Sequence, residues 1–281
     1  MTEATAAGAD SAGADPGRAV VEANGLTRRF GEIVAVERAS FRVGAGEVLG
    51  LIGPNGAGKS TLIKMLTTLL PPSEGGARVA GFDIRTQSAD VRRSIGYVPQ
   101  LLSADGELTG YENLLLSARL YLVPRRERAA RIAEALQRMG LTEARDRLVR
   151  GYSGGMIRRL EIAQSTLHRP RVIFLDEPTV GLDPTGRLAV WQHVRALRDQ
   201  IGAAIVLTTH YMEEADELCD RIGVLDSGRL VALGTPEALK RALGPGATLE
   251  DVFASATGGT LEAQGDLRRV RLDREGITRH G

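Results

Sequence analysis

Gly53-Pro54-Asn55-Gly56-Ala57-Gly58-Lys59-Ser60-Thr61 is the stretch that decides the fold. It fits the pattern G-x-x-x-x-G-K-[ST]. An apolar run from Glu47 to Ile52 precedes it and reads as a buried strand. A periodic segment from Lys59 to Leu69 follows it and reads as a helix. Strand, glycine-rich loop and helix in that order form a cradle for phosphate. Glycine lets the backbone turn tightly enough for successive N–H groups to converge on an anion. The helix N-terminus adds partial positive charge there. Lys59 would place a cation on the outer phosphates, and the Ser60 hydroxyl would offer an oxygen to Mg²⁺. ATPases, GTPases and small-molecule kinases all share this element.

Further along the chain the same alternation continues. Ile95–Pro99, Val172–Leu175 and Ala204–Thr208 read as short buried strands, and Arg125–Met139, Gly155–Leu167 and Leu188–Asp199 as helices. Alternating strands and helices predict an α/β fold with a mainly parallel sheet. Residues 101–168 lack a convincing strand and read as a helical insert. Arg221–Leu225 and Arg229–Leu233 flank Asp226-Ser227-Gly228, a hairpin pattern. The run Val172-Ile173-Phe174-Leu175 ends in Asp176-Glu177. In a parallel sheet that places both carboxylates at the edge where the phosphate loop lies. Asp176 would then hold Mg²⁺, and Glu177 would polarise a water for in-line attack.

Composition narrows the possibilities. Among 281 residues, 36 basic against 35 acidic side chains leave a net charge of +1, so no global field draws in nucleic acid or an anionic membrane. A single cysteine, Cys219, excludes an intrachain disulfide and a thiolate metal cage. Cys219 and Trp191 read as buried helical residues, and His168 and His193 as structural or surface positions. No charge-free stretch approaches the roughly 18 apolar residues of a membrane helix, so any membrane role runs through a partner. Residues 1–18 hold almost no large apolar side chain and read as a disordered tail without the features of a secretory signal. Residues 257–281, highly charged from 262 onward, read as a solvated C-terminal tail. The folded domain is expected over residues 19–256.

Further motifs come in a fixed order: Tyr152-Ser153-Gly154-Gly155-Met156, Leu175-Asp176-Glu177-Pro178-Thr179, Gly181-Leu182-Asp183-Pro184 and Leu207-Thr208-Thr209-His210. With the phosphate loop, with Gln100 after Tyr97-Val98-Pro99 and with Phe30 upstream, this series resembles an ATP-binding-cassette (ABC) ATPase over roughly residues 19–256. No guanine-reading N-K-x-D is seen. The resemblance implies a P-loop NTPase cassette: a mainly parallel sheet core, an antiparallel β subdomain and an inserted helical subdomain. Tyr152 and Met156 depart from the usual Leu and Gln of the signature but leave Ser153, Gly154 and Gly155 intact. That form, with Thr209-His210-Tyr211-Met212-Glu213-Glu214-Ala215-Asp216 and the late Leu249-Glu250-Asp251-Val252-Phe253, is similar to the daunorubicin-resistance-like branch of drug and polyketide exporters.

The resemblance also assigns roles. Phe30 would stack on adenine. Gly53, Pro54, Asn55, Gly56, Ala57, Gly58, Lys59, Ser60, Thr61 and Gln100 would bind ATP, and Ser60, Gln100 and Asp176 would surround Mg²⁺. Glu177 and His210 would be catalytic. Ser153, Gly154 and Gly155 would close on ATP held by a second copy, beside Asp183 of the D-loop. Two phosphate-binding surfaces on one chain fit a head-to-tail homodimer. The expected function is an ATPase energising export of a drug-like molecule through a separate permease, at the cytoplasmic face of the membrane and without nucleic acid. An ABC importer subunit and a soluble, non-transport ABC ATPase are the alternatives. The latter usually carries paired cassettes or long coiled coils, and neither is seen here.

Overall fold

The computed structural model describes residues 19–258. The tails expected at 1–18 and, beyond residue 258, at 257–281 lie outside the described residues. In chain order the strands and helices are β1 (Ala19–Phe30), β2 (Ile33–Gly44), β3 (Val48–Ile52), α1 (Lys59–Leu66), β4 (Glu74–Val79), β5 (Phe82–Asp83), α2 (Ser88–Ser94), β6 (Ile95–Val98), α3 (Gly110–Leu120), α4 (Arg125–Arg138), α5 (Gly154–Thr166), β7 (Val172–Asp176), α6 (Pro184–Ile201), β8 (Ala204–Thr209), α7 (Met212–Leu218), β9 (Arg221–Asp226), β10 (Arg229–Gly234), α8 (Pro236–Leu243) and α9 (Leu249–Ala256).

A six-stranded sheet runs in the order β10-β9-β3-β8-β7-β6. β9, β3, β8, β7 and β6 pair in parallel, and only β10 is antiparallel, joined to β9 by the hairpin turn. Ser227 and Gly228 in that turn both have positive φ, 48° and 83°, the backbone a tight two-residue hairpin needs. β3, β7 and β8 are buried along their whole length, as expected of central parallel strands covered on both faces. The faces alternate with period 2. Ile173, Leu175, Ile205 and Leu207 enter one core with α3–α7, while Val172, Phe174, Ala204 and Val206 enter a second core with α1 and the other sheet. That other sheet is four-stranded, ordered β2-β1-β4-β5, and antiparallel throughout.

The insert is helical, as expected from the sequence. α3, α4 and α5 pack on one another, and the only strand-like feature of the insert among the described residues is an isolated bridge between Thr109 and Leu148. α3 starts at a reciprocal cap in which Thr109 accepts from the Glu112 N–H while Glu112 accepts from the Thr109 N–H. α6 runs farther than the periodic segment Leu188–Asp199. Asp183 caps it by accepting from Gly186 N at 3.1 Å, Pro184 fills its first turn, and Gly202 ends it at φ 66°. Cys219 is buried, but it is extended just past α7 rather than helical. Among the described residues no helix is long and apolar enough to cross a membrane.

Candidate active site

The C-terminal ends of β3, β8, β7 and β6 lie side by side. Because these neighbours are parallel, each delivers the residues at its end to one edge: the loop 53–58, His210, Asp176-Glu177 and Gln100. This is the crevice where open α/β sheets bind ligands.

The loop is held from both sheets. Gly228 N donates to Ala57 O at 3.1 Å, tying the hairpin turn to the loop. Gly58 sits at φ 101°, and a Cβ there would lie 2.4 Å from Ala35 O on β2. No larger residue fits that position, so α1 begins where the loop's N–H groups are presented. Lys59 is buried and folds back over the loop, donating to Gly53 O at 2.6 Å and Pro54 O at 3.1 Å. Its Nζ lies 3.6 Å from Glu177 Oε1.

The two carboxylates occupy different surroundings. Asp176 accepts from Ser60 Oγ at 3.0 Å and from Thr208 Oγ1 at 2.7 Å, both on Oδ1. Glu177 takes φ 48°, a left-handed conformation costly for a residue with a Cβ. Its N–H holds it there by donating to Thr208 Oγ1 at 2.9 Å and Thr208 O at 3.2 Å. The Glu177 carboxylate accepts from Gln100 Nε2 at 3.1 Å and lies 3.5 Å from His210 Nδ1. His210 is partly exposed. Its ring packs on Tyr211 with centroids 4.2 Å apart, and the Arg187 guanidinium of α6 covers Tyr211 at 4.1 Å. Burial, reinforced by the Asp176 carboxylate, pushes the nearby Tyr97 phenol up to about 12, so it stays neutral.

Lys59, Ser60, Asp176, Glu177, Gln100 and His210 thus form one cluster. The amide of Gln100 reaches that cluster through Glu177. Phe30 is half exposed at the end of β1, with the Arg28 guanidinium 4.6 Å from its ring centroid. Ser153, Gly154, Gly155 and Asp183 lie apart from the cluster and beside one another. Ser153 caps α5, accepting from Met156 N at 3.3 Å. A Cβ on Gly154 would lie 3.4 Å from Leu182 Cδ2, and one on Gly155 would lie 3.4 Å from Gly186 Cα. Ser153 and Asp183 are both exposed, so the helix end at Ser153 presents a second, separate set of free N–H groups.

Thr208 is not marked as a site residue by the sequence, yet its Oγ1 donates to the Asp176 carboxylate and accepts from the Glu177 N–H. A threonine closing an otherwise apolar buried strand was the available signal. Glu214, likewise unmarked in the sequence, is fully buried and accepts from Thr179 Oγ1 at 2.9 Å and Trp191 Nε1 at 2.8 Å. Burial raises this carboxyl above its ordinary range. Through it the segment after Glu177 is bonded to α6 and α7.

No cluster of three or more His, Cys, Asp or Glu that could hold a metal occurs among the described residues. The donor set is instead one hydroxyl and one carboxylate, Ser60 and Asp176, beside the phosphate loop. Such a sparse set suits Mg²⁺, which keeps its waters and shares substrate phosphates.

Residues 36–180 match the family model described as ABC transporter. The chain belongs to the ABC transporter family. This ABC transporter chain is 49% identical over 229 residues to the daunorubicin/doxorubicin resistance ATP-binding protein DrrA of Streptomyces peucetius, covering 82% of the chain and 69% of that protein. It is 45% identical to the doxorubicin resistance ATP-binding protein DrrA of Mycobacterium tuberculosis, over 80% of the chain and 68% of the relative. A solved ATP-binding subunit of an ABC transporter superposes with a TM-score of 0.76 at 31% identity, covering 84% of this chain and 99% of the other.

Proposed function

We propose that this chain is the ATP-hydrolysing subunit of an ABC exporter of drug-like molecules, bound to the cytoplasmic face of the membrane through a separate permease. The observation that carries this reading is the convergence of Lys59, Ser60, Asp176, Glu177, Gln100 and His210 at four adjacent parallel strand ends. The names of the relatives, which speak of resistance to daunorubicin and doxorubicin, support the export class.

In this reading the N–H groups of residues 53–61 and the Lys59 ammonium hold the phosphates of ATP, with Phe30 against the adenine. Ser60 and Asp176, with Gln100 nearby, hold Mg²⁺, which when bound supplies positive charge to screen the phosphates. Glu177 accepts a proton from the water whose oxygen attacks the γ-phosphorus, as the bond from that phosphorus to the oxygen of ADP breaks. His210 donates a hydrogen bond to the γ-phosphate. The exposed helix end at Ser153, Gly154 and Gly155, with Asp183 beside it, completes the site on a second copy in a head-to-tail dimer.

A permease surface also has a candidate. Leu101 and Leu102, directly after Gln100, are 81% and 50% exposed, and Leu116 and Leu120 of α3 are exposed as well. Leu101 and Leu102, apolar side chains left in water on the loop that carries Gln100, suit a partner that must sense the nucleotide.

Cells carrying the chain together with its permease test the reading. Doxorubicin should be expelled with the wild-type chain and retained with Lys59→Ala. Equal retention in both would reject export of this drug class.

A further inference from the structure

Two charged side chains of α5 lie outside the cluster yet are buried. Arg158 and Glu161 are one turn apart on the helix that Ser153 caps. Their side chains are each only 2% exposed, and they pair at 3.0 Å. A buried ion pair is costly unless its remaining hydrogen-bonding capacity is met. Here one short segment meets most of it. Arg158 Nη1 donates to Pro99 O and Nη2 to Gln100 O, both at 2.7 Å. Glu161 Oε1 accepts from Ser103 N, from Ser103 Oγ at 3.1 Å and from Ala104 N at 3.3 Å. The arginine grips one end of residues 99–104 and the glutamate the other.

The segment has few other anchors. β6 ends at Val98, Gln100 touches the cluster only through its amide, and Leu101, Leu102 and Ser103 are exposed. Where the backbone of Gln100 sits is therefore set by α5.

We propose that Arg158 and Glu161 are positioning residues that clamp the Gln100 segment to the helix of the Ser153 motif. The two phosphate-facing elements then move as one body. Arg158 and Glu161 lie about 7 and 12 Å along the axis from Ser153, at roughly 1.5 Å per residue, so the helix is a short rigid lever between them. A force on Leu101 or Leu102 reaches Ser153 through the pair, and closure at Ser153 reaches Gln100 by the same route. This inference rests on the reading of the cluster as an ATPase site.

The test uses the full chain. Arg158→Met with Glu161→Leu replaces the pair by apolar groups of similar size, and Arg158→Lys keeps the charge but cannot span two carbonyls. Both should raise amide hydrogen exchange across residues 100–104. Both should lower kcat roughly 10–100-fold, the cost of misplacing a reacting group by about 1 Å, with the Kd for ATP within about threefold of wild type. In a Gln100→Ala background neither should lower kcat further, because groups acting through one another are non-additive. Arg158→Lys keeps the idea testable if the double variant fails to fold. Wild-type exchange and kcat in a folded variant would overturn the clamp, as would losses that multiply with that of Gln100→Ala. Wild-type protein with no ATPase activity, or Lys59→Ala with full activity, would instead remove the underlying reading.

Discussion

Replacing Glu177 by Gln separates binding from chemistry. The side chain keeps its size and can still accept from Gln100, and Lys59 keeps its bonds to Gly53 O and Pro54 O. Only the negative charge goes. That charge lies 3.6 Å from Lys59 Nζ, with both groups nearly buried. At an effective dielectric of about 20 the gross attraction is about 4–5 kcal/mol, much of it offset by the desolvation of both groups. An incoming phosphate must compete with Glu177 for Lys59 and also face its charge. Removing it should therefore tighten ATP binding by about 1–2 kcal/mol, roughly 5–30-fold in Kd. Hydrolysis should fall by roughly 10²–10⁴, the usual loss for a general base. Calorimetric titration with ATP gives Kd, and phosphate release in single-turnover experiments gives the chemical rate. Wild-type hydrolysis would remove Glu177 from its role. Weaker ATP binding would refute the competition between Glu177 and phosphate for Lys59.

The same geometry sets other outcomes. In Glu177→Gln with ATP and Mg²⁺, light scattering should report dimers that disappear when Ser153→Arg is added. A dimer indifferent to both ATP and Ser153→Arg would contradict the composite site. Leu102→Asp, on an exposed position beside Gln100, should abolish drug efflux while basal ATPase stays within about twofold. Surviving efflux through a scan of residues 101–168 would place the permease contact elsewhere. His168 stacks on Tyr121 with centroids 3.9 Å apart and is held below its ordinary range chiefly by burial. The unfolded chain therefore takes up this proton first, so the stability tied to a neutral His168 is complete above about pH 6.5 and is lost as pH falls below it. His168→Phe should flatten the urea-midpoint change between pH 7.5 and 5.5, and an unchanged slope would exclude that role.

What the sequence made legible was local. The run Glu47–Ile52, the glycine loop and the helix at Lys59 are contiguous, and parallel pairing of short apolar runs brings Asp176 and His210 to the same edge. The four-stranded sheet was less readable. β1 and β2 are long but broken by register shifts around Leu26 and Arg28, and Arg38 interrupts β2 at φ 48°, so no clean alternation marks them. Its presence was implied only by family resemblance. The clamp was invisible for another reason. An Arg and a Glu three apart on a helix look the same whether they face water or a loop some 58 residues away in sequence. Periodicity does not say which charges are buried. Thr208 likewise looks like an ordinary strand residue until Asp176 is beside it.

Every role assigned to the cluster depends on Lys59 and its loop holding ATP for hydrolysis. Steady-state phosphate release from MgATP by the purified full chain, wild type against Lys59→Ala, tests it most directly. Removing the buried ammonium should cost about 2–4 kcal/mol of transition-state stabilisation, a roughly 30–1,000-fold loss of kcat/KM. Equal turnover by the two proteins would contradict the account.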